Sequence, residues 1–257
     1  VTALVDADGL LTSVLDVATG REALAPGSRG NLLQLHADTP VRFDAWDVDS
    51  YYRRSVTDLV GLGDGGSVEA VDGGLRIVRT VGASRVEQHV TLPSGEARVD
   101  VATEVDWQER EKLLKAAFEL DVSTERVACE VQFGHVHRPT HANTSWDAAR
   151  FEVCAHRWVH VGEPGFGAAV VNDSTYGHDV TRAERAGGGT SSVVRLSLLR
   201  APQSPDPVAD LGTHRMTYSL LPGAGIPGAV REGYRANLPG RRGRGSGAAA
   251  EPLVRGD

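Results

Sequence analysis

Short segments in which apolar and polar residues alternate recur along the chain. Residues 75–81, 85–92, 98–105 and 193–199 are rich in valine and are bounded by glycine, serine or proline. A period of two places successive side chains on opposite faces of a strand, so this pattern predicts half-buried β-strands. Asp8-Gly9 separates two further segments of this kind, and the dipeptide favours a two-residue hairpin turn. The pattern predicts an all-β protein built as an antiparallel sandwich.

One segment, residues 107–120, admits two interpretations. It is rich in helix-forming residues, and its apolar positions near helical spacing are Leu113, Ala116, Ala117 and Leu120. Propensity alone therefore slightly favours a helix. A strand, a charged turn and a second strand also fit, because the segment lies between predicted strands and has no clear N-cap residue.

Length and charge narrow the class of protein. The chain has 257 residues with 30 glycines and 12 prolines, which is enough for one large domain with many turns. The net charge of −7 argues against a general nucleic-acid binder, because binding to phosphates needs a basic face. The basic run of Arg241, Arg242 and Arg244 lies in a glycine-rich stretch that is expected to be a flexible loop.

Several features favour a cytoplasmic protein. No apolar run approaches the roughly 20 residues that a membrane-spanning helix needs, and the first residues do not resemble a signal peptide. The two cysteines, Cys129 and Cys154, form no CxxC motif, and buried free thiols are expected in preference to a disulfide. The chain has no initiator methionine and closes on the start of a new apolar run, so we expect it to be a fragment of a longer protein.

Side chains suited to binding are concentrated in residues 132–158. This segment contains His135, His137, His141 and His156, Trp146 and Trp158, and also Arg138, Asn143 and Asp147. Planar apolar faces beside amide, guanidinium and carboxylate groups suit a hydrated, hydrogen-bonding ligand such as a sugar.

The same histidines raise the possibility of a zinc site. His135 and His137 are two residues apart and would point to one face of a strand, with His141 shortly after. A zinc site needs a third or fourth ligand in fixed geometry, and no spacing here supplies one recognisably. Histidines that form surface or supporting hydrogen bonds are therefore the favoured interpretation.

A second group of candidates is the acidic and aromatic segment FDAWDVDSYY, residues 43–52. A glycosidase needs two carboxyl groups about 5–10 Å apart, and the spacing of Asp44, Asp47 and Asp49 in sequence does not show such a pair. Each aspartate, Asp147 included, is more simply interpreted as a turn or cap residue that accepts hydrogen bonds from local amides. The aromatic neighbours keep the segment of interest as a binding surface.

Six longer motifs occur in order along the chain: GNLLQLHADTP, FDAWDVDSYY, REKLLKAAFELDV, FGHVHRPTHANTSWDAARFEVCAHRW, GFGAAVVNDSTYGHDV and LSLLRAPQSPDPVADLGTHRMTYSLLP. Together they resemble the C-terminal part of a glycoside hydrolase family 38 α-mannosidase. The likeness is to the bacterial and cytosolic or vacuolar branch, and it extends from residue 1 to about residue 221.

This resemblance implies a fold and a division of the chain. The fold would be a large antiparallel β-supersandwich like the galactose mutarotase domain, with residues 107–120 as strand, turn and strand. Residues 1–239 would form the β-sandwich domain of the mannosidase. Residues 240–257 would be a flexible loop and the start of a truncated strand.

The resemblance also implies an activity for the whole protein. The complete enzyme would be a retaining, zinc-dependent exo-mannosidase that releases terminal α-linked mannose from oligosaccharides in the cytoplasm. Its nucleophile, general acid and zinc ligands would belong to an N-terminal α/β barrel followed by a helical bundle. No part of this chain resembles that barrel, so we expect no catalytic or metal-binding residue in it and no activity from it alone.

What carries over to this chain is a supporting role, because loops of the β-domain reach the barrel in this family. The candidate residues are Trp46 and Asp47 in the first loop and Arg138, His141, Asn143, Trp146 and Asp147 in the second. Tryptophan would stack on sugar C–H faces, while the polar groups would bind hydroxyls. An equal alternative is that these residues fix the interface with the other domains.

Two other functions fit a sandwich of this kind. One is a free-standing carbohydrate-binding module, and the other is an aldose epimerase or mutarotase that presents a histidine and a carboxylate to an open sugar. If neighbouring domains belong beside this chain, exposed apolar surface is expected near Trp46 or Trp146.

Overall fold

Two antiparallel β-sheets packed face to face form the fold in the computed structural model, which describes residues 1–238. The strands are β1 (Thr2–Val5), β2 (Leu11–Asp16), β3 (Arg21–Glu22), β4 (Gly30–Ala37), β5 (Thr57–Asp58), β6 (Ser67–Val71), β7 (Gly74–Val81), β8 (Ser84–Thr91), β9 (Val99–Trp107), β10 (Lys112–Leu120), β11 (Arg126–Val131), β12 (Gly134–Pro139), β13 (Val153–Cys154), β14 (Trp158–Glu163), β15 (Phe166–Asn172), β16 (Gly177–Glu184), β17 (Thr190–Arg200) and β18 (Gly212–Pro222). The helices are a 3₁₀ helix (Ser50–Ser55), α1 (Ser145–Ala149) and α2 (Ile226–Asn237).

The order of strands defines the two sheets. The first sheet runs β1-β2-β4-β10-β17-β16-β13, with β3 paired to β2 and β5 paired to β4. The second runs β12-β11-β14-β15-β18-β9-β8-β7-β6. This architecture confirms the all-β antiparallel sandwich that the alternation predicts. The proposed domain limit after residue 239 and the segment 240–257 lie outside the described residues.

The four alternating segments are strands β7, β8 and β9 and the central part of β17, as predicted. The hairpin at Asp8-Gly9 is confirmed, since β1 pairs with β2 and Gly9 has a φ of 76°, but its turn is longer than the predicted two residues, because the N–H of Asp6 donates to the carbonyl oxygen of Leu10. The carboxylate of Asp6 accepts the backbone N–H groups of Asp8 and Leu10 at 3.1 and 3.0 Å, which closes this turn.

The helix that propensity favours over residues 107–120 is wrong, and the strand–turn–strand alternative is confirmed. β9 ends at Trp107, and β10 begins at Lys112 and pairs with both β4 and β17. Glu111 occupies the turn with a φ of 51°, and its N–H donates to the carbonyl oxygen of Ala201 at 2.8 Å. Pairing on both edges supplies partners for the backbone of β10, so tertiary contacts override the local propensity.

The main core lies between the sheets. Leu114 and Phe118 of β10 point into it, and the Phe118 ring meets the Tyr218 ring of β18 edge-on at 6.2 Å. The buried hydroxyl of Tyr218 donates to the side chain of Asn31 at 2.6 Å and accepts from Gln88 at 2.8 Å. Burial of large apolar side chains, each worth about 1.5–3 kcal/mol, stabilises this sandwich.

α2 covers part of the outer face of the second sheet. Its Ala229 packs with Trp158, Ala169 and Leu221 in a second buried cluster. Gly233 of α2 lies so close to Trp158 that a Cβ would be 2.8 Å from Cδ1 of the indole. No helix among residues 1–238 is long and apolar enough to cross a membrane.

Both cysteines are free, as expected. Cys129 is buried in β11, but Cys154 is exposed in β13, which corrects the expectation that both thiols are buried. β13 has only two residues and forms the edge of the first sheet, so no further strand of residues 1–238 covers its outer side.

Candidate functional site

The first predicted segment is the loop between β4 and the 3₁₀ helix, and it is fastened to the end of β17. Nη2 of Arg200 donates to the carbonyl oxygens of Asp44 and Asp47 at 3.1 and 2.8 Å. The Asp44 carboxylate accepts the backbone N–H groups of Gln203 and Ser204 at 2.7 and 3.0 Å. These bonds hold the loop through its backbone and through Asp44, and Asp47 remains an exposed residue.

Trp46 presents a large apolar side chain on this loop. It is 70 % exposed, and Val41 and Phe43 beside it are also exposed. Exposed apolar groups that are close together in a loop mark interaction surfaces more often than isolated ones do. The expected apolar surface near Trp46 is therefore present.

The second predicted segment contains α1, which begins with a capping box. The hydroxyl of Thr144 accepts the N–H of Asp147 at 3.1 Å, and the Asp147 carboxylate accepts the N–H of Thr144 at 3.1 Å. Nδ1 of His141 lies 3.6 Å from the same carboxylate. Asp147 thus acts as the local cap that its residue type predicts, while Trp146 next to it is 75 % exposed.

The remaining predicted residues of this segment differ in their surroundings. Asn143 is exposed in the loop before α1. Arg138 is half-buried in β12, and its Nε is buried without a hydrogen-bond partner among the described residues. Burial raises the pKa of the Cys129 thiol to about 11, and nearby Arg138 acts in the opposite direction.

The two segments are in contact, but the residues that form hydrogen bonds between them are not among the seven candidate site residues. The hydroxyl of Tyr52 bonds to the carboxylate of Glu152, and the guanidinium of Arg53 donates to the carbonyl oxygen of Phe151. The rings of Tyr52 and Phe151 are 6.4 Å apart. The 3₁₀ helix therefore holds the part of the second segment that directly precedes β13.

A buried ionic cluster lies beneath this junction. Lys115 is on β10, where its neighbours Leu114 and Ala116 point into the core, so its own side chain points to the outer face of the first sheet. It is 0 % exposed, because the junction covers it. Its Nζ donates to Oδ2 of Asp179 at 2.7 Å, to the Tyr52 hydroxyl at 2.9 Å, and also to Glu152.

Two arginines complete the cluster. Nη1 of Arg195 lies 2.8 Å from Oδ1 of Asp179, and Arg53 approaches the same oxygen at 3.4 Å. Nε of Arg195 donates to the side-chain oxygen of Gln34 at 2.8 Å. Asp179 is thus the acceptor shared by three cations, one on each of β10, β17 and the 3₁₀ helix.

The electrostatics of the cluster follow from burial and from this pairing. Burial alone would lower the pKa of Lys115, but Asp179 and Glu152 raise it above its ordinary value. Burial would raise the pKa of Asp179, but Lys115 and Arg195 hold it at about 2. The pKa of Glu152 is raised, chiefly by burial. The cluster therefore contains a charged lysine and a charged aspartate at neutral pH.

The part of the chain that contains these segments and the ionic cluster matches a known protein family. The family model described as the glycosyl hydrolases family 38 C-terminal domain matches residues 1–208. The chain belongs to this family. The two predicted segments, the ionic cluster and both sheets up to β17 fall within the matched part.

Curated relatives of this family 38 domain are named α-mannosidases. The chain is 43 % identical over 242 residues to alpha-mannosidase 2C1 of Homo sapiens, which covers 91 % of the chain and 22 % of that protein. It is 36 % identical over 250 residues to alpha-mannosidase G of Dictyostelium discoideum, with 92 % and 22 % covered. The chain therefore spans about a fifth of the length of these relatives.

A solved structure agrees with the fold. An α-mannosidase from Enterococcus faecalis V583 matches with a TM-score of 0.68 at 13 % identity, over 92 % of this chain and 30 % of that one. At this identity the match supports the sandwich architecture of the family 38 domain and nothing further.

The histidines of β12 lie on one face, as predicted, with the rings of His135 and His137 5.2 Å apart. Within residues 1–238, no group of three or more His, Cys, Asp or Glu side chains is arranged to hold a metal ion.

Sequence reasoning missed the ionic cluster because its members are distributed over the chain. Lys115 stands in the apolar segment KLLKAAFEL and Asp179 follows a histidine in β16. A lysine at an outward position of a strand is ordinarily solvated, and only the covering Tyr52 and Glu152 make this one buried. One weak indication of the cluster was present in the sequence, namely the charged Lys115 within an otherwise apolar segment.

Proposed function

We propose that this chain is the C-terminal β-domain of a longer α-mannosidase that hydrolyses terminal α-linked mannose from oligosaccharides. The observation that carries the proposal is the identity of 43 % to alpha-mannosidase 2C1 across 91 % of the chain. The chain corresponds to only 22 % of that relative, so the reaction would require the rest of the polypeptide.

The chemistry would be divided between the parts of the protein. We expect a retaining mechanism in which a carboxylate nucleophile and zinc belong to an N-terminal barrel, with a helical bundle between the barrel and this domain. Zinc, when bound there, would engage mannose hydroxyls. The expected site of action is the cytoplasm, since the cysteines of this chain are free thiols.

The contribution of this chain would be a rigid wall beside the sugar pocket. Trp46 and Trp146 are exposed, and indole faces stack well on the C–H surface of a pyranose. Asp47 and Asn143 offer exposed polar groups for hydroxyls. The buried cluster around Lys115 would fix the two segments, because it joins the 3₁₀ helix to the sheet and to Glu152.

The first experiment compares the complete gene product with this chain alone on a chromogenic α-mannoside. We expect activity from the complete protein and none from the chain. Activity of the chain alone would overturn the assignment of the chemistry to the remaining domains. Sugar binding without hydrolysis by either protein would favour a carbohydrate-binding module, and mutarotation of a free aldose would favour an epimerase.

The second experiment tests the wall in the complete protein. Trp46→Ala and Trp146→Ala should each raise KM by about two- to tenfold, the value of one stacking contact. Phe133→Ala is the matched control, because Phe133 is a fully exposed aromatic residue on the β11–β12 turn. A lower yield of assembled protein with unchanged KM would assign the two tryptophans to the domain interface instead.

A further inference from the structure

A small cavity opens beside the ionic cluster on the outer face of the first sheet. Its volume is about 130 Å³, and its lining includes His36, Tyr52, Arg53, Asp179, Thr181 and Arg195. Since a water molecule occupies about 30 Å³ in the liquid, the cavity has room for roughly four waters or for one small ligand. A pyranose with its hydroxyls and hydration would not fit this volume.

His36 is the unusual member of the lining. It is only 3 % exposed, and neither ring nitrogen has a hydrogen-bond partner among the described residues. Its ring packs edge-on against Tyr52 with centroids 5.0 Å apart. Burial, assisted by the charge of Lys115 and opposed by the nearby backbone of Tyr52, lowers the pKa of His36 to about 4, so at neutral pH the ring has one N–H donor. A buried donor without a partner costs about 1–3 kcal/mol, so the cavity should contain a group that accepts from it.

Each arginine of the lining has one guanidinium nitrogen that is not used in the hydrogen bonds described above. Arg195 uses Nε for Gln34 and Nη1 for Asp179 and Thr181, which leaves Nη2 available. Arg53 uses Nε and Nη2 for its bonds to Tyr52 and Phe151, which leaves Nη1 available. A guanidinium edge presents donors only, so the ligand that it would take is an acceptor.

The ionic cluster has more positive than negative groups, which also favours an anion as the ligand. Three cations, those of Lys115, Arg53 and Arg195, face two carboxylates, those of Asp179 and Glu152. Both oxygens of Asp179 already bind cations, so this carboxylate does not repel an incoming anion as an unpaired one would. Arg53 and Arg195 keep 33 % and 22 % of their side chains exposed, so the excess positive charge is only partly removed from water, and an anion nearby reduces the remaining cost.

We propose that this cavity binds one small anion, either a halide or a carboxylate group, held by His36, Arg53 and Arg195. The anion would tie the 3₁₀ helix to β4 and β17, because Arg53, His36 and Arg195 belong to these three elements in that order. It would therefore stabilise the loop that bears Trp46 against the sheet. This site is separate from the proposed mannosidase activity and can be tested on the chain alone.

The test measures binding of bromide by the 257-residue chain. Crystals soaked in sodium bromide should show an anomalous peak inside the cavity, between the His36 ring and the Arg195 guanidinium. The midpoint of thermal unfolding should rise in sodium bromide relative to sodium gluconate at equal ionic strength, since a ligand of the folded state stabilises it. A parallel soak in sodium formate distinguishes a halide from a carboxylate as the ligand. Formate bound in the cavity would indicate a site for carboxylates, and binding of bromide but not formate would indicate a site for halides.

His36→Leu should weaken the bromide response at least about tenfold, the effect of losing one hydrogen bond to a charged ligand. His178→Leu is the matched control, because His178 is also buried with an unpartnered Nε2 but does not line the cavity. Circular dichroism would confirm that both variants fold. Water alone in the cavity after both soaks, or an equal loss of response in the two variants, would overturn the proposal whatever the activity of the complete enzyme.

Discussion

The ammonium nitrogen of Lys115 lies 2.7 Å from Oδ2 of Asp179, although the two residues come from strands that are not neighbours. β17 lies between β10 and β16, so the pair spans a strand on the outer face of the sheet. Both side chains are at most 1 % exposed. Charges removed from water are costly unless their partners compensate, so the number of partners should decide what each substitution costs.

We predict that Asp179→Asn destabilises the chain more than Lys115→Met. The asparagine keeps the shape but leaves the three cations around it with Glu152 as the remaining carboxylate, and breaking a buried pair in this way costs about 3–5 kcal/mol. Loss of Lys115 is milder, because Asp179 keeps Arg195 at 2.8 Å. Glu152 also loses a cation when Lys115 is replaced. It can then take up a proton, because burial raises its pKa, and this limits the cost of the Lys115→Met substitution.

Urea denaturation of the three proteins at pH 7 measures this difference. The exposed pair of Arg215 and Glu104 supplies the control, since these side chains are 76 % and 48 % exposed and Arg215→Met should change stability little. Equal destabilisation by Asp179→Asn and Lys115→Met would show that Asp179 is not the shared acceptor of the cluster.

Two buried histidines should make the chain sensitive to mild acid. Burial lowers the pKa of both His36 and His178 to about 4, below the ordinary value of 6.5. Between pH 6.5 and pH 4 these rings take up a proton in the unfolded chain but not in the folded one. The free energy of unfolding therefore falls as the pH falls through this window, by at most about 1.4 kcal/mol per pH unit for each histidine. Glu152, whose pKa is raised by burial, opposes this trend.

Variants separate the histidines from the other groups. His36→Leu and His178→Leu should each reduce the slope of stability against pH between pH 7 and pH 5, and the double variant should reduce it further. Urea midpoints measured at half-unit intervals of pH give these slopes. Parallel curves for the wild type and the double variant would contradict the prediction.

Gly167 should not tolerate a side chain. A Cβ at this position of β15 would lie 2.6 Å from Nε2 of His160 and 2.8 Å from the carbonyl oxygen of Ala224, and those two atoms are themselves hydrogen-bonded at 2.8 Å. Gly167→Ala should therefore cost about 1–3 kcal/mol in urea denaturation. Gly134→Ala is the matched control in an exposed strand, since a Cβ there meets nothing within 4 Å and should be neutral or slightly stabilising.

The sandwich could be predicted from sequence because alternation is a local signal. Strands β8 and β9 follow it directly, since each has one face against the core, whereas β7 also buries Val78 on its other face. β10 could not be predicted from its own residues, because KLLKAAFEL has buried positions on both faces and good helix propensity. Its strand form depends on pairing with β4 and β17, which lie far away in the chain.

The candidate site was less accessible to sequence reasoning. Exposure of Trp46 and Trp146 agrees with a binding surface, and the role of Asp147 as a cap follows from its residue type. The junction of Tyr52 with Glu152 spans 100 residues, and no local pattern records that such residues meet. Burial of Lys115 depends on that junction and could not be predicted without it.

The capping box of α1 gives a further prediction. Thr144→Ala and Asp147→Ala each remove one half of a reciprocal pair, so each should loosen α1 by about 0.5–2 kcal/mol. The double variant should cost less than the sum of the two, because either single change already breaks the box. Hydrogen exchange of the backbone amides of residues 145–149 measures this loosening locally. Strict additivity would show that the two side chains act independently.

The same two variants separate a capping role of Asp147 from contact with sugar. If Asp147 acts only through α1, both variants should change the KM of the complete protein, as the proposed α-mannosidase, to the same extent, because both displace Trp146 with the helix. If the Asp147 carboxylate binds a sugar hydroxyl, Asp147→Ala should raise KM beyond the effect of Thr144→Ala. We expect equal effects, since the Asp147 carboxylate already accepts hydrogen bonds from both the N–H and the hydroxyl of Thr144, at 3.1 and 2.8 Å.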